Sequence, residues 1–319
     1  MSNSYDLIVI GAGPAGLTAS LYASRYQISH LLIGSQLGGT MVWASMVENY
    51  PGFDSITGAD LAQKMIEQVK KLGVEIKNTG VIEIKRKETN FELKTENDEF
   101  LEAKALIIAT GTQRQKLNIP GEAEYLGKGV SYCSTCDATF FKEKTVAVVG
   151  GSNAAVMSAI HLASFAQKVY LIYRRKPLRA DPIWVERIQK EPKIEIIYET
   201  NALEIIGNGS LMTGLKLDKS YQGSQELKVN GIFIEIGGVP GTDLVKVLGV
   251  ELDEKGYVRV KPDMSTNIPG IFAAGDVANA SGELQQIITA ASEGALAANS
   301  VYRYLERSEK QGSPYLKEG

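Results

Sequence analysis

An apolar run at 7–10, a glycine-rich turn, helical periodicity over 14–26 and a second apolar run at 29–33 predict strand, turn, helix and strand, the opening of a βαβ unit. The same order returns later. An apolar run at 145–149 leads into a glycine turn at 150, an Ala-rich helix continues to about 165, and a strand at 169–173 ends in Arg174-Arg175. Two such Rossmann-type units imply two nucleotides, or one duplicated fold with a lapsed site. The remaining pattern predicts an amphipathic helix over 60–71 and β-rich stretches at 74–101 and 194–229, punctuated by Asn78-Thr79-Gly80 and Gly207-Asn208-Gly209. A strand-like segment at 257–260 leads into the run Gly270 to Asp276, and a long Ala-rich helix covers about 285–305. The tail, 311–319, reads as disordered when taken alone.

The 319 residues, 44% hydrophobic and 22% charged, suffice for two globular domains with cores of their own. A net charge of -3 offers no basic stripe for a polyanion, so nucleic acid is not an expected partner. The polar start and the short run at 7–10 fit neither a signal peptide nor a membrane helix, and a cytoplasmic address with no membrane partner follows by default. Two cysteines cannot form a disulfide framework in a chain of this length; a Cys-x-x-Cys pair in a reducing compartment points to redox catalysis or metal binding. The metal reading lacks ligands, because there is no second cysteine pair and His30 and His161 lie far away in sequence.

In the first turn, Gly11-Ala12-Gly13-Pro14-Ala15-Gly16, the first glycine permits the bend, the second lets backbone N–H groups approach a pyrophosphate and the third allows close packing of helix on strand. The carboxylate expected some 20 residues on, to hold a ribose, is missing at Gly34 and Ser35. The second turn, Gly150-Gly151-Ser152-Asn153-Ala154, carries Ser152 where a glycine would admit the pyrophosphate; its side chain either crowds that approach or donates a hydrogen bond. After the following strand come Arg174, Arg175 and Arg179, which suit the 2′-phosphate of NADPH where an acid would select NADH. The plainer alternative is a solvated basic patch. Between the two turns lie Cys133 and Cys136, able to close a small disulfide ring. A helix starting nearby would favour a thiolate, and Asp137 would serve as proton carrier.

With Gly38-Gly39, Val47-Glu48-Asn49-Tyr50-Pro51-Gly52, Ala109-Thr110-Gly111, Cys133 to Asp137 and Ala274-Gly275-Asp276 added, the chain resembles the low-molecular-weight thioredoxin reductases over nearly its whole length. The resemblance implies an α/β fold of two Rossmann-like three-layer domains, with a nicotinamide and dithiol domain, 119–244, inserted into an FAD domain split into 1–118 and 245–319. It places FAD on the first turn, Gly11, Gly13, Pro14, Ala15 and Gly16, with Gly38, Gly39, Asn49, Thr110 and Gly111 near it. Gly275 and Asp276 would hold the ribityl chain, and the backbone of Gln286 and Ile287 would face the isoalloxazine. Electrons would pass from NADPH through FAD to the Cys133–Cys136 disulfide and on to a thioredoxin or thioredoxin-like protein, the inserted domain rotating between half-reactions. Cys136 would face the flavin, Cys133 would attack the partner and Asp137 would act as general acid and base. A homodimer is implied by the resemblance alone.

The departures from the family pattern gather on the nicotinamide side: Ser152, Met157-Ser158 in place of two glutamates, Tyr173 in place of a histidine, and Gln285 in place of an arginine. Thr40 replaces a glutamine near the flavin. They sustain an alternative in which a related reductase takes electrons from ferredoxin and the nicotinamide site is degenerate. Tyr315 reads as part of a loose tail; the alternative folds it over the site to stack on a flavin. A non-catalytic redox-sensing flavoprotein has less support, since a binding module needs no carboxylate beside a dithiol.

Overall fold

The computed structural model describes residues 3–88, 90–282 and 284–312. The chain forms two compact units, one made of 1–113 with 240–319 and the other of 114–239. The first unit opens with β1 (Ser4–Ile10), α1 (Pro14–Arg25) and β2 (His30–Ile33), followed by α2 (Gly58–Lys71), β3 (Glu75–Lys77), β4 (Val81–Arg86), β5 (Phe91–Thr95) and β6 (Phe100–Ile108). The crossing strand β7 (Thr112–Arg114) leads into the second unit. There the order is β8 (Val130–Ser131), α3 (Ser134–Asp137), β9 (Thr145–Val149), α4 (Asn153–Ala163), β10 (Lys168–Tyr173), α5 (Pro182–Gln189) and β11 (Ile194–Tyr198). Strands β12 (Ala202–Gly207), β13 (Met212–Tyr221), β14 (Ser224–Lys228) and β15 (Gly231–Ile234) follow. The return crossing, β16 (Gly238–Pro240), leads to α6 (Asp243–Lys246), β17 (Ile271–Ala273) and α7 (Ile287–Gly312). The crossings thus fall at 113–114 and 239–240, a few residues before 118–119 and 244–245.

In the first unit β3, β2, β1 and β6 lie side by side in parallel, β17 joins β6 in parallel, and β5 and β4 extend the sheet antiparallel. Leu7, Ile8 and Val9 are all fully buried, because the strand is covered on both faces. Leu7 and Val9 pack with α1, α2 and α7, and Ile8 and Ile10 with the β4–β6 strands and the stretch 245–258. Helix α2 starts two residues before the expected position. Thr57 caps it, its Oγ1 accepting the Asp60 N–H at 3.1 Å, and Lys70 and Lys71 close it against the helix dipole.

In the second unit β11, β10, β9, β15 and β8 form a parallel sheet. The side carrying Ala147, Val149, Ile172, Ile232 and Ile234 packs on the antiparallel β12–β13–β14 sheet, and α4 packs against β9, β10 and β11. Both units are therefore Rossmann-like α/β layers.

Two expectations require correction. Residues 257–260 form no strand, because successive N–H groups go to different partners: Tyr257 to Asp253 Oδ1 (3.0 Å), Val258 to the Val277 carbonyl (2.9 Å) and Arg259 to the Glu251 carbonyl (2.9 Å). The last helix runs on to Gly312, through Gln311, the first residue of the expected disordered tail. Tyr315 lies outside the described residues.

Candidate active site

In the first unit the end of β1 meets α1 at a turn where Gly11 and Gly16 leave no room for a side chain. Gly11 has φ +114°, and a Cβ there would lie 2.1 Å from the Ala109 carbonyl oxygen; one on Gly16 would lie 1.8 Å from the Gly11 oxygen. Gly13 precedes α1, and Pro14 occupies its first turn, where a missing N–H costs nothing. Gly38 donates its N–H to the Ala12 carbonyl at 2.8 Å, and Gly39 sits so close that a Cβ on it would lie 2.8 Å from the Gly13 Cα. Gly38-Gly39 thus joins the first turn from an element more than twenty residues away. The surface left is bare backbone at a helix N-terminus, the form that accepts a pyrophosphate.

The other expected residues of this unit gather into neighbouring pairs. Asn49 Nδ2 donates to Gln286 Oε1 at 3.0 Å, next to Ile287 at the start of α7. Thr110 Oγ1 donates to the Gly241 carbonyl at 2.9 Å, and the Gly241 N–H returns to the Gly111 carbonyl at 3.0 Å. Gly275, at φ +78°, approaches Ala15 closely: a Cβ would lie 2.9 Å from the Ala15 Cβ. Its N–H donates to Glu293 Oε2 at 2.7 Å. Glu293 also accepts the Ser281 hydroxyl, and it holds the 275–276 segment against α7. Burial, and then the neighbouring Glu293 carboxylate, push the Asp276 carboxyl up to about 6. Burial also raises Glu293.

In the second unit Cys133 and Cys136 form a disulfide with Cα atoms 5.3 Å apart. Cys133 caps α3: its Sγ accepts the Cys136 N–H at 3.2 Å, and its carbonyl accepts the Asp137 N–H at 3.2 Å. The helical turn therefore directs an amide at the Cys133 sulfur. Cys136 is exposed, and Asp137 is half-buried one residue on.

The second glycine turn is built like the first, with changes. Gly150, at φ +146°, passes under the Glu235 carbonyl, which a Cβ would meet at 2.1 Å. The Tyr173 ring lies on Gly151, 2.3 Å from where a Cβ would stand. Ser152 precedes α4 without a side-chain cap bond, and Ala154 is exposed in its first turn. The loop after β10 folds back over the turn. The Arg179 N–H donates to the Gly151 carbonyl at 2.8 Å, and Asn153 and Asp181 exchange two bonds of 2.7 and 2.8 Å. Arg179 thus arrives beside Ser152, while Arg174 and Arg175 stand exposed at the end of β10.

The sequence from 5 to 294 matches the family described as pyridine nucleotide-disulphide oxidoreductase. The chain belongs to this family. Among its members, a thioredoxin reductase of Listeria innocua is 45% identical over 305 residues, 95% of this chain and 94% of that protein. The crystal structure of Lactococcus lactis thioredoxin reductase matches 95% of this chain and 99% of its own with a TM-score of 0.90 at 39% identity. A ferredoxin-flavin thioredoxin reductase from Clostridium acetobutylicum matches 96% of this chain and 99% of its own with a TM-score of 0.54 at 33% identity. The family is one of oxidoreductases that bring flavin and pyridine nucleotide to a disulfide. No described helix of this member is long and apolar enough to cross a membrane.

Sequence reasoning missed Glu293 and Glu235. Each is a lone acid in an otherwise apolar segment, Glu293 on the buried side of an Ala-rich helix and Glu235 directly after the fully buried β15. An uncompensated carboxylate in such a place is itself the signal that a partner waits in the fold.

Proposed function

We propose that this protein is a thioredoxin-disulfide reductase that takes electrons from NADPH and delivers them through FAD and the Cys133–Cys136 disulfide to a thioredoxin or a close relative. The observation that carries the reading is the Cys133–Cys136 disulfide at the start of a helical turn, with Asp137 beside it, in a chain with two glycine turns of dinucleotide form. The bare backbone around Gly11, Gly13, Gly16 and Gly39 fits the pyrophosphate of FAD, with Pro14, Ala15 and Gly38 shaping the same turn. Asn49, Thr110, Gly111, Gly275, Asp276, Gln286 and Ile287 would hold the rest. Flavin, when bound, supplies hydride and electron transfer between nucleotide and disulfide.

The chain's own residues do the thiol chemistry. Once reduced, the Cys133 thiolate attacks one sulfur of the thioredoxin disulfide and forms a mixed disulfide. Cys136 then attacks Cys133, which releases the second thioredoxin thiol and restores the Cys133–Cys136 bond. Asp137 takes the proton from Cys136 and passes it to the departing thiolate. Gly150, Gly151, Ser152, Asn153 and Ala154 receive the nicotinamide dinucleotide, and Arg174, Arg175 and Arg179 select its 2′-phosphate. We assign the protein to the cytoplasm, where a dithiol of this kind cycles, and to a homodimer.

A second reading, electron supply from ferredoxin, draws on Tyr173 packed over Gly151 and on the likeness to the Clostridium acetobutylicum structure. The thioredoxin reading is tested by Cys136→Ser. The variant is expected to keep its flavin and lose reduction of thioredoxin disulfide, followed as free thiol released per NADPH consumed. Undiminished thiol release would refute it.

A further inference from the structure

Four buried or half-buried polar groups in the second unit form one chain of hydrogen bonds that begins inside the redox turn. Ser134, between the two cysteines, donates through Oγ to Ser158 Oγ at 2.9 Å. Ser158, on α4, donates to Glu235 Oε1 at 3.0 Å. The other oxygen of that carboxylate, Oε2, binds the Arg114 guanidinium, where the chain enters the unit. Ser134, Ser158 and Glu235 are each only 6% exposed. Both hydroxyls donate toward the carboxylate, so the charge at Glu235 fixes the direction of the whole chain. Without Arg114 and Ser158 a carboxylate at this depth would be strongly penalised by burial, which raises Glu235 even with them present.

The placement of Glu235 adds a second constraint. Its N–H donates to the Val149 carbonyl at 2.8 Å, and its own carbonyl closes over Gly150. One residue therefore supports the second glycine turn through its backbone and the redox turn through its side chain.

We propose that Glu235 is a positioning residue for the Cys133–Cys136 pair, acting through Ser158 on Ser134 to hold the redox turn in the geometry of the closed disulfide. This rests on the reading of that pair as the redox centre. The hydrogen-bond chain is complete with the disulfide closed, so an anchor on Ser134 favours the closed form. Loss of the anchor shifts the equilibrium toward the dithiol. An amide at 235 that keeps its oxygen on Arg114 must donate its N–H to Ser158, which reverses the direction of both hydroxyls and replaces a charge-assisted bond by a weaker neutral one.

The test is the thiol–disulfide equilibrium of the full-length, flavin-loaded protein in glutathione buffers, read by acid quench, alkylation and mass of the peptide carrying both cysteines. In this exchange two glutathione thiols give up two electrons and two protons to the Cys133–Cys136 bond and leave as glutathione disulfide. Ser158→Ala and Glu235→Gln are each expected to raise the equilibrium constant toward the dithiol about three- to tenfold, the range of one lost hydrogen bond. Because both act on Ser134 by the same route, the double variant should match the larger single effect rather than their product. Ser134→Ala should reproduce the shift, and it provides the same test if a change at 235 prevents folding. Constants within 1.5-fold of wild type in folded Ser158→Ala and Ser134→Ala proteins would overturn the proposal, as would effects that multiply. A wild-type pair that fails to exchange with glutathione would instead sink the redox reading itself.

Discussion

Replacing Asp276 by Asn should stabilise the flavin-free protein at neutral pH while weakening its hold on flavin. The Asp276 carboxyl is raised from 3.8 to about 6, first by burial and then by Glu293. At about 1.4 kcal/mol per tenfold, keeping it ionised costs the folded first unit about 3 kcal/mol. The sign follows from the acid's raised value in the folded state. Above about pH 6 the side chain is charged folded and unfolded, and the full cost is present. As pH falls through 6 toward 4 the folded state takes up its proton first, and the cost disappears. The comparison is urea unfolding of flavin-stripped wild type and Asp276→Asn between pH 4 and 8. The variant should be more stable by up to about 3 kcal/mol at pH 7.5 and equal to wild type near pH 4. In parallel, equilibrium dialysis should show weaker FAD binding by the variant. A stability difference that does not change with pH would refute the reasoning, because a packing effect of the amide carries no proton linkage.

Gly16→Ala should cost about 3 kcal/mol or more and yield protein purified without flavin, since its Cβ would stand 1.8 Å from the Gly11 oxygen; thermal unfolding and the visible spectrum check this. Changing Arg174, Arg175 and Arg179 together to Gln should raise KM for NADPH about tenfold or more and leave KM for NADH unchanged, which steady-state kinetics with both nucleotides would show.

Both Rossmann-like units were legible because their opening strands are continuous apolar runs ending in glycine, a pattern that packing enforces locally. The 145–149 strand was read at its observed bounds for this reason. The segment 257–260 misled because apolar alternation reports burial, and Val258 is fully buried, yet its neighbours bond to loops rather than to one partner strand. The convergence of Gly38-Gly39 on Gly13 was suggested by resemblance, but the contact itself depends on a tertiary fold-back. The Ser134–Ser158–Glu235–Arg114 chain was illegible for the same reason, since its members come from four segments that only the folded sheet brings together. The departure at Met157-Ser158 looked like the loss of a carboxylate. In the fold Glu235 supplies one to Ser158 from the end of the neighbouring strand.

The central claim is the electron path from NADPH to the dithiol. Its most direct test is anaerobic reduction of the purified flavoprotein, followed by the visible flavin absorbance, with NADPH, NADH and reduced ferredoxin offered separately. The account predicts rapid bleaching by NADPH, slow or no bleaching by NADH, and two new thiols at Cys133 and Cys136. Inertness toward both nucleotides with prompt bleaching by ferredoxin would contradict it, and would mean that Tyr173 on Gly151 marks a turn no longer used for a nicotinamide.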